Sequence, residues 1–217
     1  GIAGRDGAFA EYLTVPVRNL LEVYKSIPDN RAVFTEPLAA CYEILEQMDV
    51  RMKHRIAVIG DGKLGALAAA VLSTVSDSVT LLGKHEDKME RISKELNVRT
   101  AFYSSQPHRS FDIVVECSGA PSGLAAATDL VRPRGTIVLK STYHDKPQID
   151  TSRWVIDEIT VLGSRCGPFA PALAALRGRD IDPTTLIDAT YPAQDGLKAF
   201  EHAQRPGVFK VLLQFSD

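Results

Sequence analysis

Residues 55–75 read RIAVIGDGKLGALAAAVLSTV: a short β-branched apolar run, a turn holding three glycines, and an Ala/Leu-rich run of helical character. The turn is GxGxxG, set directly after a strand and directly before a helix, which is the context that gives the motif meaning. Gly60 permits the tight turn. Gly62 removes a side chain where a pyrophosphate must approach the backbone, and Gly65 lets helix and strand pack closely. Lys63 and Leu64 open the helix, whose N-terminus faces the anion.

Working outward, strand and helix take turns. Strand SVTLLG (78–83), helix HEDKMERISKEL (85–96), strand VRTAF (98–102), strand FDIVVECSG (111–119), helix PSGLAAATDLV (121–131), strand GTIVLKS (135–141), a helical turn near 151–157 and strand EITVLGS (158–164) follow the loop. The strands are nearly all apolar, as parallel strands covered on both faces must be, and the helices supply the crossovers. The fold class is therefore α/β, a doubly wound six-stranded parallel Rossmann sheet. Before it, residues 7–24 alternate apolar and polar and predict a small β segment. The stripe from Asp29 predicts two short helices, 29–34 and 37–47, broken by Pro37. After it come a helix (168–178), a strand (186–191), a helix (193–204) and a strand (208–215).

Composition narrows the function. With 25 Lys+Arg against 27 Asp+Glu in 217 residues, no basic excess is available to neutralise a nucleic-acid backbone. Cys41, Cys117 and Cys166 are odd in number and lack CxxC spacing, so neither a disulfide framework nor a cysteine zinc cage fits. Together with the lack of a transmembrane run, this points to a cytoplasmic protein and no membrane partner. His54, His108, His144 and His202 have no spacing partners and read as structural or solvated.

In NAD-binding proteins of this class an acidic residue stands at the end of the second strand, about 20 residues past the first glycine, to hold the ribose hydroxyls. Here the position is Gly83, followed by Lys84, His85 and, one turn on, Lys88. The missing carboxylate and the cations favour NADP over NAD, and an aspartate at 83 should turn the preference towards NADH. A solvated charged helix start is the plainer account of the same cations.

Three stretches, GAFAEYLTVPVRNL (7–20), TEPLAAC (35–41) and RIAVIGDGKLG (55–65), taken with ECSG (116–119), RPRGTIVLKS (132–141) and ITVLGSRCG (159–167), resemble the zinc-dependent alcohol dehydrogenase group of medium-chain dehydrogenases/reductases. The sorbitol and threonine dehydrogenase-like members are the most similar. The resemblance implies residues 1–28 as a remnant of a GroES-like β catalytic domain, 29–165 as the NAD(P)-binding domain and 166–217 as a segment completing the catalytic domain. It implies an oxidoreductase acting on an alcohol or carbonyl substrate, with zinc in the whole protein. The family's metal-binding Cys and GHE-type motif have no counterpart here. Glu36 alone matches a zinc-facing position, and a dipole-favoured helix start explains it equally well. The chain by itself is expected to be inactive and to hold no zinc.

The resemblance also places Ser118, Gly119, Lys140, Ser141, Leu162 and Gly163 around a nicotinamide ring, and Lys210 at the pyrophosphate, with an exposed edge-strand charge as the alternative for Lys210. It implies a homodimer through strand 158–164. A non-catalytic dinucleotide-binding module is the competing reading, and a methyltransferase is disfavoured because Gly83 is not the acid its ribose wants.

Overall fold

The computed structural model describes residues 4, 6–143 and 147–215. At its centre is β1 (Ile56–Ile59), four residues buried at every position. It pairs in parallel with β2 (Val79–Gly83) on one side and β4 (Phe111–Glu116) on the other. β3 (Arg99–Phe102) lies outside β2, while β5 (Val131–Leu139) and β6 (Thr160–Gly163) extend the other half, so the order is β3-β2-β1-β4-β5-β6. Every neighbouring pair is parallel. The six-stranded doubly wound sheet expected from the alternation is what the chain forms.

Successive strand residues face opposite sides, and each side is covered. Ile56, Val58, Leu81, Ile113, Val115 and Val138 pack with α2 (Thr35–Gln47) and α3 (Lys63–Ser73). Ala57, Ile59, Leu82, Val114 and Ile137 pack on the other face with α5 (Pro121–Leu130). α3 is buried from Gly65 to Leu72, which explains its run of small residues: it is pressed between the sheet and α2. α4 (Glu86–Leu96) turns only Met89 and Ile92 fully inward, leaving its charged face in solvent. A short α6 (Ser152–Ile156) joins β5 to β6.

Pro37 does not restart a helix. α2 begins at Thr35, which puts Pro37 in the first turn, where an N–H would have no intrahelical acceptor and its loss costs nothing. α1 is correspondingly short, Asp29–Ala32. The alternation over 7–24 also fails to make a strand. The described part of that stretch is extended or turned with one 3-10 turn at Val17–Asn19, and Phe9, Tyr12, Val17 and Leu20 are exposed. Alternation makes a strand only when another edge pairs with it, and among the described residues none does.

The end of the chain is tied to the sheet. α7 (Phe169–Gly178) packs on α2, and its Leu173 and Leu176 join the core with Ile181, Leu186 and Phe209. β7 (Ile187–Pro192), α8 (Gly196–Ala203) and β8 (Lys210–Gln214) form a separate two-stranded parallel unit. The Asp188 carboxylate accepts hydrogen bonds from the Phe209 and Lys210 amides at 2.6 and 3.0 Å and pairs with Arg91 of α4 at 2.5 Å, holding the start of β8 against the sheet domain. Among the described residues no helix is long and apolar enough to cross a membrane.

Candidate functional site

The chain fills one half of the sheet with β1 to β3 and then returns to the middle for β4, so the connections leave the centre in opposite directions. A crevice forms at such a switch point, beyond the carboxyl ends of the strands. A cavity of about 430 Å³ opens there, running from Gly60–Gly62 past the end of β2 to the β4–α5 turn.

The three glycines have three separate roles. Gly60 has φ +119°, and a Cβ on it would stand 2.9 Å from the Cys117 backbone, so neither the conformation nor the space admits a side chain. At Gly65 a Cβ would overlap the Gly60 carbonyl. Gly62, which caps α3, has nothing within 4 Å of the place a Cβ would take, so its bareness serves something other than internal packing. Lys63 and Leu64 follow in the first turn, half-buried. Lys210 comes to the same end of α3 from β8, its ammonium 5.0 Å from the centre of the Phe34 ring. Burial first, and the Lys63 charge second, push the Lys210 ammonium below the usual lysine range, against the pull of Glu36. Lys210 is thus half-buried rather than a plain exposed edge charge.

At the end of β2 the structure corrects the expectation of a site without a carboxylate. Asp61, the second residue of the glycine loop, is 8% exposed and reaches across to Gly83. Its Oδ2 accepts the Lys84 and His85 amides at 2.6 and 2.8 Å, and the carboxylate faces His85 Nδ1 at 3.0 Å. Burial works against ionisation here, but the amide bonds from His85 and Lys84 and the His85 ring outweigh it and hold the acid below the ordinary aspartate range. A Cβ on Gly83 would stand 2.6 Å from Asp61 Oδ2 and 2.8 Å from Met89 Cγ. The aspartate substitution imagined from the sequence therefore has no room. Lys84, His85 and Lys88 do come together along the cavity wall, the first two exposed and Lys88 half-buried with its ammonium 5.4 Å from the Phe209 ring. The one signal for Asp61 was an acid set between two glycines of the loop.

The end of β4 is organised by Glu116, which is fully buried. Its Oε1 accepts the Ser118 amide and hydroxyl at 2.7 and 2.5 Å, and its Oε2 accepts the Tyr143 hydroxyl at 2.6 Å. Burial and this bond raise the Tyr143 phenol. Gly119 donates its amide to Ser141 Oγ at 2.8 Å, so Ser118, Gly119 and Ser141 form one linked edge, of which Ser118 lines the cavity. Tyr103 and Cys117, to which no role was assigned from sequence, line it too. Lys140 points elsewhere: Nζ donates to Ala40 O at 2.5 Å, Arg165 O at 3.0 Å and Ser164 Oγ at 3.1 Å. Its three donors are committed to tying β5 to α2 and to the segment after β6. Leu162 packs on the core, and the Gly163 carbonyl accepts Gln47 Nε2 at 3.2 Å.

Burial pushes the Cys41 thiol up to about 12 and that of Cys117 well above its usual value, whereas Cys166 is exposed. His54 Nδ1 accepts the Arg51 amide and His202 Nδ1 meets the Tyr191 hydroxyl; His144 lies outside the described residues. Glu36 is exposed, it acts on the Lys210 ammonium, which Lys63 also approaches, and the described residues contain no group of three His, Cys, Asp or Glu that could hold a metal. A lone carboxylate beside ammonium groups does not fit a zinc ligand set.

Residues 75–177 match the zinc-binding dehydrogenase family. The chain is 26% identical to sorbitol dehydrogenase of Halalkalibacterium halodurans over 96% of its own length and 66% of that protein's. It is 25% identical to L-threonine 3-dehydrogenase of Edwardsiella ictaluri over 98% of the chain and 66% of that protein. Among solved structures it superposes on L-idonate 5-dehydrogenase from Escherichia coli with TM-score 0.87 at 22% identity, covering 97% of this chain and 64% of that one. A zinc-binding dehydrogenase from Sinorhizobium meliloti solved with NADP gives TM-score 0.86 at 23% identity, covering 96% and 66%. The chain thus spans about 66% of the length of the curated relatives it matches. Its similarity to these zinc-type dehydrogenases runs over the part built around the six-stranded parallel sheet.

Proposed function

We propose that the chain binds NADP(H) along the crevice at the ends of β1, β2 and β4, and that it is the cofactor-binding part of an oxidoreductase moving a hydride between the nicotinamide and an alcohol or polyol carbon. The cavity carries this reading. It joins an uncovered glycine at a helix N-terminus, suited to a pyrophosphate, to a wall bearing Lys84, His85 and Lys88. Lys63 and Lys210 add positive charge at the pyrophosphate end, and Ser118, Gly119, Ser141, Leu162 and Gly163 mark the strand ends beyond it. Lys140 drops out of that set. The nicotinamide supplies the hydride chemistry when bound; these residues orient it.

The preference for NADP rests on balance of charge at the end of β2. Asp61 is engaged by the Lys84 and His85 amides and by the His85 ring, which leaves the Lys84 and Lys88 ammonium groups as the charges at the wall that Asp61 does not engage. A 2′-phosphate pairs with them. The solved protein from Sinorhizobium meliloti holds NADP, while an Escherichia coli protein of the same fold, TM-score 0.87, holds NADH, so this choice belongs to the local side chains and not to the fold. Fluorescence titration should show NADPH binding about tenfold or more tightly than NADH, with the gap shrinking as salt rises. Equal affinities would remove the NADP preference, and no binding of either would remove the function.

The same reading includes a homodimer through β6. That strand is the outer one of the sheet and pairs only with β5 among the described residues; Val161 and Leu162 are half-buried, and Val155 and Ile156 beside it are 77% exposed. An apolar edge free of proline invites an isologous strand pairing. Light scattering at micromolar concentration should give twice the chain mass, and Val161→Pro should give a monomer that keeps nucleotide binding. A monomer in the parent chain overturns the dimer. The three unpaired cysteines support a reducing, cytoplasmic location.

A further inference from the structure

Asp61 is more thoroughly built in than a loop residue needs to be. A carboxylate offers about four lone-pair positions. Oδ2 uses its own on two backbone amides, at 2.6 and 2.8 Å, and both oxygens share the single Nδ1 proton of His85, Oδ2 at 3.0 Å and Oδ1 at 3.1 Å. Oδ1 therefore holds half of one hydrogen bond and retains acceptor capacity, on a side chain that is itself a wall of the cavity.

Its place in the cavity identifies what it meets. In sequence Asp61 lies between Gly60 and Gly62, where the pyrophosphate is received; in space it lies against Gly83, at the foot of the wall that carries Lys84 and His85. A group joining a 5′-phosphate to a 2′-phosphate across that distance is a ribose, and the hydroxyl it keeps free is the 3′-hydroxyl. We propose that Asp61 Oδ1 accepts a hydrogen bond from the 3′-hydroxyl of the adenosine ribose, so that the acid anchoring the sugar comes from inside the glycine loop and not from the end of β2. This rests on the nucleotide reading above. It also explains why position 83 is glycine: the acid and a side chain there compete for the same space. Because Asp61 anchors the sugar and Lys84, His85 and Lys88 meet the 2′-phosphate, the two tasks are divided between segments.

The alternative is that Asp61 only braces the β2–α4 turn. Displacement of NADPH from the 217-residue chain by adenosine 2′,5′-bisphosphate and by its 3′-deoxy analogue separates the two. The parent chain should bind the bisphosphate about tenfold more tightly than the deoxy compound, the loss expected for one hydrogen bond to a charged group. In Asp61→Ala the two ligands should bind within about twofold of each other, the deoxy compound having lost nothing further through that contact. Equal binding of the two ligands by the parent chain overturns the proposal without any variant, as does a tenfold gap that survives in a folded Asp61→Ala. If NADPH itself does not bind, the nucleotide reading fails, and with it this inference; a protein that binds NADPH yet ignores the 3′-hydroxyl fails only here.

Discussion

Gly83→Asp is expected to lower the melting temperature by about 6–12 °C rather than to convert the cofactor preference. The Cβ alone would stand 2.6 Å from Asp61 Oδ2 and 2.8 Å from Met89 Cγ, and the new carboxylate would share a part-buried site with one already ionised. Overpacking of this kind costs about 1–3 kcal/mol and like charges add to it, so about 3 kcal/mol is a fair total, and a chain of this size loses about 2–4 °C per kcal/mol. Adding Asp61→Ala removes the charge conflict and the tightest of the three contacts, leaving the residue-61 Cβ and Met89 Cγ at 2.8 Å. The double variant should therefore melt above Gly83→Asp by several degrees, a coupling that a thermal scan of the four proteins reads directly. A Gly83→Asp protein that melts like the parent would show that the turn yields, and the compactness argued for the end of β2 would be wrong.

Lys140→Met should cost about 2–4 kcal/mol of stability while leaving NADPH affinity within about twofold. The ammonium satisfies Ala40 O, Ser164 Oγ and Arg165 O at once, and each buried acceptor left unmet costs about 1–3 kcal/mol, moderated here because the site is only half-buried. Unfolding in urea reads the first effect through a lowered midpoint, and the NADPH titration reads the second. A variant of normal stability that binds NADPH tenfold more weakly would return Lys140 to the nicotinamide edge.

The contrast between Lys140 and Gly62 shows what a sequence discloses about such a protein. The sheet was legible because its signals are local: IAVI, VTLL and FDIVVE are buried runs whose composition alone requires cover on both faces, and the glycine loop announces its own turn. Lys140 sits at a strand end like its neighbours, and acceptors distant in sequence, Ala40 O a hundred residues earlier with Ser164 Oγ and Arg165 O after the next strand, draw it away from the cavity. Asp61 is the same case in reverse: it does the work of a residue some twenty places later because the loop folds back on the end of β2. The stretch 7–24 misled for a related reason, since alternation records a surface with two faces but not whether another edge is at hand.

The three thiols differ in a way that has practical use. Cys41 is sealed in the core with its thiol pushed up to about 12, and Cys117, though at the cavity, is raised well above its usual value by burial, so neither offers thiolate near neutral pH. Cys166 stands exposed just past the outer strand of the sheet. A maleimide dye applied at pH 7 should therefore attach once per chain, at a single address outside the cavity lining. The native sequence thus carries its own handle for a fluorescent reporter of pairing along that strand, with no engineered cysteine required.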